Sequence, residues 1–300
     1  MNKQRRVHPA WIAAAITWLT LVASAGYRSA PSVLIVPLED AFGWSRDQIS
    51  LAISINILLY GLTAPFAAAL MERFTVRKVV MSALAAVSIG AFLTIFMTKP
   101  WHLILLWGVV VGVGTGSMAL VFAATVASRW FMQRRGLVTG ALTAAAATGQ
   151  LIFLPALSTI AMNHGWKSVS ITIAIGAAVV IPLIWWGLNE KPEDIGYKPY
   201  GAPEDWVAPQ RLQGNAARNA IDALRNSSRN PDFWLLFGTF FVCGLTTNGL
   251  IGTHFIPAAH DHGMGEVVAA SLLALIGVFD VIGTLGSGYL TDRMDPRKLL

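Results

Sequence analysis

Two ionised side chains lie deep inside long apolar stretches of this 300-residue chain. Arg28 falls within the apolar segment 11–38, and Asp280 falls within the segment 267–290. Where such segments cross a lipid bilayer, a charge at the bilayer centre costs about 2.5–3.5 kcal/mol on insertion scales, so it usually faces a polar cavity or a partner. The guanidinium of Arg28 can bind a carboxylate through two parallel hydrogen bonds. We therefore expect Arg28 and Asp280 to form a pathway for a small organic anion and protons, with Asp280 balancing Arg28 or carrying the proton; a purely structural pair, or an Arg28 that extends to the membrane surface, are the alternatives.

The composition indicates that most of the chain lies in a membrane. Apolar residues make up 55% of the chain, charged residues make up 13%, and the mean hydropathy is +0.58, whereas soluble domains carry about 25% charged residues. A bilayer core takes about 20 residues of helix. The sequence therefore predicts an all-α integral membrane protein and excludes a soluble globule. Eight segments are long enough to span: 11–38, 48–70, 79–98, 101–128, 136–161, 168–188, 233–258 and 267–290.

The basic residues predict the orientation. If the N-terminus is cytoplasmic, Arg46, Lys99 and Lys167 lie outside and Arg28 lies within a span, which leaves the other eighteen of the 22 Lys and Arg residues inside. This distribution follows the positive-inside rule. A cleaved secretory signal ending at Ala25 is the alternative for the N-terminus, but the apolar run resumes after it and is long enough to span. We expect a multi-pass protein of the cell (inner) membrane with a cytoplasmic N-terminus.

An internal repeat relates the second and eighth segments. The stretch 70–78, LMERFTVRK, recurs 220 residues later at 290–298 as LTDRMDPRK. In each copy an acidic residue, Glu72 or Asp292, is followed directly by a basic residue, and a basic pair comes four residues after that. Self-similarity at a fixed offset indicates two related halves.

The repeated loop resembles the signature of the major facilitator superfamily, G-x-x-x-D-R-x-G-R-R, and the second copy, GSGYLTDRMDPRK, is the closer match. The resemblance implies two six-helix halves that rock about a central site, with loops that clamp the cytoplasmic side when it is closed. It implies that Glu72 or Asp292 accepts from helix N-termini, and that the arginines of both loops pair across the halves. The expected gating residues are Glu72, Arg73, Arg77, Lys78, Gly286, Gly288, Asp292, Arg293, Arg297 and Lys298.

The resemblance also implies an organisation. Six spans ending near 188 and an offset of 220 place the end of twelve spans near residue 408, so we expect a major facilitator-type bundle in which eight of twelve helices are present and the C-terminal part is missing. The expected divisions are an N-terminal six-helix half (1–188), a cytoplasmic linker (189–232) and the first two helices of the second half (233–300). Within the linker, AARNAIDALRN is expected to form a short helix, either on the inner leaflet or in solvent.

A finer resemblance concerns the substrate. The stretch 129–140, RWFMQRRGLVTG, and the stretch 192–196, PEDIG, are similar to the bacterial monocarboxylate-porter and oxalate/formate-antiporter-like branch. That branch implies a secondary active transporter of a small carboxylate that works by alternating access and is coupled to protons as a symporter. Its porters carry an arginine four residues after the eighth-span aspartate, where this chain has Thr284. Arg28 would then supply the cation.

The sequence also offers further candidate cavity residues and excludes several classes of function. Further polar side chains in or near the spans could line a cavity: Tyr60, Gln150, Asn248 and His254. The sequence has no nucleophile–base set, phosphate-binding loop or cluster of metal ligands, so we expect no enzyme, no cofactor and no metal site. The expected partners are the organic anion, protons and the lipid bilayer, with no nucleic acid, and a partner protein is unknown. An exporter of the same fold, a receptor-like membrane protein and a non-functional fragment are the alternatives.

Overall fold

The protein is built from long helices. The computed structural model describes residues 8–118, 120–207 and 216–294. Within these ranges, seven helices are long and apolar enough to cross a membrane, which confirms the predicted all-helical membrane fold. They are α1 (Pro9–Phe42), α2 (Arg46–Arg73), α3 (Val76–Thr94), α4 (Pro100–Trp130), the helix Arg135–Gly187, α7 (Pro231–Asp261) and α8 (Glu266–Thr291).

The helix Arg135–Gly187 contains two of the predicted spans. Its 53 residues would extend about 80 Å, more than twice the hydrocarbon thickness of a bilayer. Gly165 interrupts it with φ 77° and ψ 171°, a conformation that glycine adopts readily and other residues do not. Gly165 therefore divides this helix into α5 (135–164) and α6 (166–187), which match the predicted segments 136–161 and 168–188.

Local sequence explains how α1 begins and ends. Pro9 occupies the first turn, and the Nδ1 atom of His8 accepts a hydrogen bond from the Ala10 amide at 3.2 Å. Proline is favoured there because its missing N–H would have no partner inside the helix. At the other end Gly43 has φ 66° and its amide donates to the Glu39 carbonyl at 2.8 Å, a glycine cap that stops the helix.

The central helix α5 packs against both α1 and α8. A Cβ atom at Gly26 of α1 would lie 2.7 Å from the ring of Phe153, and a Cβ atom at Gly140 would lie 2.6 Å from the Thr284 carbonyl oxygen of α8. Small residues at helix crossings in membranes allow such close backbone approach. As a result α5 connects the first helix of one half with the second helix of the other.

We name the end of the bundle at which α1 begins the inner face and the opposite end the outer face. Tyr200, in the segment 189–232 that is the expected linker, is attached to the inner face. The Tyr200 amide donates to the Trp130 carbonyl at 2.8 Å, and the Met132 amide donates to the Tyr200 carbonyl at 3.0 Å. The expected short helix is present as Ala216–Ser227, called the linker helix below. It contacts α2 and buries Ala220. Neither of the two expected placements, on the inner leaflet or in solvent, included this contact with α2.

Candidate functional site

Arg28 is held by a tyrosine. Its Nη1 atom donates to the Tyr60 hydroxyl at 3.1 Å, and its Cζ atom lies 5.3 Å from the centroid of the Tyr60 ring. The side chain of Arg28 is half-buried. Among the described residues, no carboxylate lies within salt-bridge distance of Arg28. The guanidinium therefore keeps donors available for an anion.

Glycines of α4 set the position of Tyr60. A Cβ atom at Gly112 would lie 3.1 Å from the Cα atom of Asn56, and one at Gly116 would lie 2.8 Å from the Cα atom of Tyr60. The buried Asn56 amide also donates to the Trp107 carbonyl at 2.7 Å, within the π-helical stretch Ile104–Val111. Because α2 lies directly on the backbone of α4, Tyr60 has a fixed place from which to hold Arg28.

Asp280 lies on α8, apart from Arg28. Its side chain is exposed, and its carboxylate makes no hydrogen bond or ion pair with the described part of the chain. The Thr284 hydroxyl donates to the Asp280 backbone carbonyl at 2.7 Å. The structure therefore does not join Arg28 and Asp280, contrary to the expected charge balance, because Arg28 turns toward α2.

Within the described residues, no side-chain hydrogen bond links the other polar candidates to one another. Gln150 is half-buried on α5, beside the Gly149 contact with α1, and His254 is half-buried on α7. Asn248 is exposed and lies in the π-helical stretch Gly244–Ile251 of α7. Of these described candidates, Tyr60 alone makes a side-chain hydrogen bond with Arg28.

Asp292 joins the end of α8 to the start of α5 at the inner face. Its Oδ1 atom accepts from the Gly136 amide at 2.7 Å, and its Oδ2 atom accepts from the Leu137 amide at 2.8 Å. These amides belong to the first turn of α5, where the positive end of the helix dipole stabilises a carboxylate. A Cβ atom at Gly288 would lie 3.0 Å from the Cα atom of Gly140, so the absence of a side chain there permits the contact. Nothing lies within 4 Å of a Cβ atom at Gly286, so that signature glycine has no packing role here.

The first signature loop binds within its own half. Glu72 accepts from the Nη2 atom of Arg129 at 2.6 Å, and the same guanidinium binds Glu190. Glu190, not Glu72, accepts from a helix N-terminus, that of α3, through the Val76 amide at 2.7 Å. The expected role of Glu72 is therefore taken by Glu190, whose Oε1 atom binds Arg129 while its Oε2 atom accepts from the Val76 amide.

The arginines of the first loop also stay within the first half, contrary to the expected pairing across halves. Arg77 donates through Nε to the Leu188 carbonyl at 2.8 Å, which caps the end of α6. The Cζ atom of Arg73 lies 5.3 Å from the ring centroid of Phe74. Carbonyls at helix C-termini favour basic partners, and α6 offers the nearest one.

The remaining signature residues are local or lie outside the described residues. Arg293 lies over the Tyr289 ring, with 4.3 Å between its Cζ atom and the ring centroid. Lys78 is in the first turn of α3, where its amide donates to the Thr75 hydroxyl at 3.2 Å. Arg297 and Lys298 fall in 295–300, outside the described residues.

Sequence reasoning did not find an ion pair at the opposite, outer face. The guanidinium of Arg46 binds Asp261 at 2.6 and 3.2 Å and Glu39 at 2.9 and 3.1 Å. Asp261 ends α7, so this pair also connects the halves. Glu39 lies near the end of α1, Arg46 begins α2 and Asp261 ends α7, and no spacing pattern in the sequence relates them.

A cavity of about 490 Å³ opens between α5 and α8 beside Asp292. Hydroxyl groups dominate its polar lining, and one cation stands among them. The lining includes Arg135, Thr139, Thr143, Thr284, Ser287 and Thr291. The cavity lies at the junction between the halves and is compatible with a polar solute.

Comparisons with known proteins cover nearly the whole chain. The Major Facilitator Superfamily profile matches residues 16–300. The MFS-type transporter YcxA of Bacillus subtilis is 28% identical over 296 residues, which cover 97% of this chain and 67% of YcxA. Monocarboxylate transporter 11 of Mus musculus is 27% identical, covering 94% of this chain and 59% of that protein, and monocarboxylate transporter 7 of Homo sapiens is 24% identical, covering 96% and 64%. The chain thus spans less than two thirds of the length of these monocarboxylate transporters.

Solved structures share the fold. The proton:xylose symporter XylE bound to 6-bromo-6-deoxy-D-glucose matches with a TM-score of 0.64 and 15% identity, over 95% of this chain and 70% of that one. A partially occluded inward-open conformation of the xylose transporter XylE from E. coli gives the same TM-score at 12% identity, over 95% and 74%. At this identity the likeness concerns the fold alone.

Proposed function

We propose, for a chain that belongs to the major facilitator superfamily, that it carries a small carboxylate across the membrane by alternating access, with Arg28 as the binding cation. The family match confirms the expectation of a transporter-family chain and not an enzyme. One observation carries the substrate proposal. Arg28 presents a half-buried guanidinium that Tyr60 orients and that no described carboxylate neutralises. A partly buried guanidinium without a carboxylate partner is stabilised when it binds an anion, and a transported substrate can supply that anion.

Two contacts between the halves support alternating access. The Arg46–Asp261 pair holds the outer ends of the halves together, and Asp292 holds the inner ends through the first turn of α5. A solute can reach a central site from one side only when the contact on that side opens. We infer that the two contacts open in turn, with Asp280 as the group that carries a coupled proton.

The relatives support the substrate class, and the charge distribution supports the location. Several proteins similar to this chain are named monocarboxylate transporters. The count of Lys and Arg residues favours a cytoplasmic N-terminus in a cell (inner) membrane. We retain the division into a first half (1–188), a linker (189–232) and helices of the second half (233–300) as part of the proposal.

The test is uptake of radiolabelled short-chain carboxylates into membrane vesicles from cells that express the protein. We expect Arg28→Gln to reduce uptake at least tenfold and Arg28→Lys to retain part of it, because lysine keeps the charge but loses the bidentate geometry. Arg218→Gln is the matched control, since that arginine of the linker helix is 82% exposed. Undiminished uptake in Arg28→Gln would overturn the proposal.

A further inference from the structure

The internal repeat extends from the signature loops through the membrane in one register. With the offset of 220, Pro37 inside α1 matches Pro257 inside α7. Gly43, with φ 66°, matches Gly263, with φ 82°, and each follows the end of its helix. The register therefore runs without a gap from these turns to the loops that carry Glu72 and Asp292.

This register makes polar intramembrane residues equivalent in pairs. Arg28 of α1 corresponds to Asn248 of α7, and Tyr60 of α2 corresponds to Asp280 of α8. Arg28 and Tyr60 contact each other in the first half. Halves related by a pseudo-two-fold axis place equivalent residues around the same centre. Asn248 and Asp280 are therefore the second half's counterparts of the Arg28–Tyr60 pair.

The chemistry of the second pair is the reverse of the first. Arg28 and Tyr60 offer a cation and a hydroxyl, whereas Asp280 offers an anion and Asn248 offers an amide. Within the described part of the chain, neither the Asn248 amide nor the Asp280 carboxylate makes a side-chain hydrogen bond. Asn248 also lies in the π-helical stretch of α7, a helix distortion that is frequent at functional sites. Both side chains remain available to a ligand.

The helix crossings on α5 indicate how far apart Arg28 and Asp280 are. Gly149 of α5 contacts Ala25 of α1, and Ala147 of α5 contacts Gly277 of α8. Arg28 follows Ala25 by three residues on α1, and Asp280 follows Gly277 by three residues on α8. Because α1 and α8 are antiparallel, the two residues lie on opposite sides of these crossings along α5. With the two residues between the crossings, the positions of their Cα atoms projected onto α5 differ by roughly 12 Å at 1.5 Å per residue. One small ligand can bind both Arg28 and Asp280 only if its two polar groups are several bonds apart.

We propose that the substrate is a carboxylate that carries a second, hydrogen-bond-donating group, a hydroxyl or an ammonium, which Asp280 and Asn248 bind while Arg28 binds the carboxylate. This inference rests on the proposed function and deepens it. It assigns the specificity for the second group to the second half. A simple alkyl carboxylate would leave the Asp280 charge without a partner, and it binds more weakly for that reason.

The test is equilibrium binding of labelled acids to the purified protein, measured by scintillation proximity. The probes are unbranched acids of three to six carbons whose far end is a methyl, a hydroxyl or an ammonium group. We expect hydroxyl- or ammonium-terminated acids to bind at least tenfold more tightly than methyl-terminated acids of equal length, with an optimum among the longer members. Asp280→Leu and Asn248→Leu should each reduce that preference, and Asp280→Leu should also tighten the binding of the methyl-terminated acid, because no charge is then left without a partner. Thr246→Val, an exposed neighbour in the same π-helical stretch, is the control.

The outcomes separate the two proposals. Equal affinity for methyl- and donor-terminated acids, with binding still lost in Arg28→Gln, overturns the proposed role of Asp280 and Asn248. It leaves the proposal of a carboxylate carrier standing. A preference that persists in both leucine variants does the same. No binding of any acid, or binding that is unchanged in Arg28→Gln, overturns the proposed function itself.

Discussion

Arg46 and Asp261 are 215 residues apart in sequence, yet their side chains share two hydrogen bonds of 2.6 and 3.2 Å at the outer face. The same guanidinium binds both oxygens of Glu39, at 2.9 and 3.1 Å. Arg46 is thereby fixed to the end of α1 while it reaches the end of α7. The Arg46 and Asp261 side chains are 36% and 47% exposed, so water and salt weaken the pair, as a contact that must open requires.

We expect Asp261→Asn to favour conformations that are open at the outer face. Exposed ion pairs contribute little to stability, so we expect a small but measurable shift of the population toward the open conformations. Spin labels at Asp47→Cys and Met264→Cys, in a Cys243→Ser background, report the separation by electron resonance. Asp222→Asn, which removes an exposed carboxylate of the linker helix, is the control. An unchanged distance distribution in Asp261→Asn would show that the pair does not hold the outer face.

Asp292→Ala removes the carboxylate that caps α5. Loss of a helix cap costs about 0.5–2 kcal/mol, so the amides of the first turn should exchange with solvent about 2- to 30-fold faster. Hydrogen exchange followed by mass spectrometry of peptides covering 135–140 measures this. Glu72→Ala should leave these peptides unchanged, because Glu72 binds Arg129 and not α5. Equal protection in wild type and Asp292→Ala would contradict the proposed inner contact.

Gly116→Ala should disturb the site through packing alone. The added Cβ atom would lie 2.7 and 2.8 Å from backbone atoms of Tyr60, so α2 has to move away from α4. Overpacking of this kind typically costs about 1–3 kcal/mol, and the displaced tyrosine should weaken carboxylate binding at Arg28. Thermal unfolding in detergent and ligand binding are the measurements. Gly61→Ala, on α2 with nothing within 4 Å of its Cβ atom, is the control, and identical behaviour of the two variants would refute the packing argument.

Stability should fall as the pH drops below the ordinary pKa of histidine, partly through His8. Burial lowers the pKa of His8, against an opposing effect of the Lys198 backbone, and its Nδ1 atom caps α1 only when the ring is neutral. A group with a lowered pKa in the folded state stabilises fully above its unfolded pKa of about 6.5 and loses that contribution as the pH falls. Thermal unfolding at pH 7.5 and 5.0 should show a smaller decrease for His8→Asn than for wild type. His164→Asn, at an exposed position, is the control; equal decreases in His8→Asn and wild type would exclude the cap.

Hydropathy and the repeat were sufficient to predict the helices, because span length and the placement of charges follow from the bilayer. Binding of Glu72 or Asp292 to helix N-termini was expected from the resemblance to the major facilitator signature, and Asp292 makes such a contact. The partner of Arg28 was not predictable, since a rotation of α1 decides between Tyr60 and a residue of α8. Glu190, which follows the end of α6, and not Glu72, accepts from the first turn of α3, and this depends on how those helices lie relative to each other. Such outcomes are set by tertiary geometry that one-dimensional spacing does not contain.

The attachment of the linker has a consequence for the order of assembly during synthesis. Tyr200 pairs with Trp130 and Met132, and its ring lies 5.5 Å from that of His8. All of these partners have been translated before α7 begins at Pro231, and chains fold from the N-terminus as they emerge. The first half can therefore close its own inner surface while the ribosome is still making the second. Contacts that involve Asp261 and Asp292 are then late events, formed by helices arriving at a surface that is already complete.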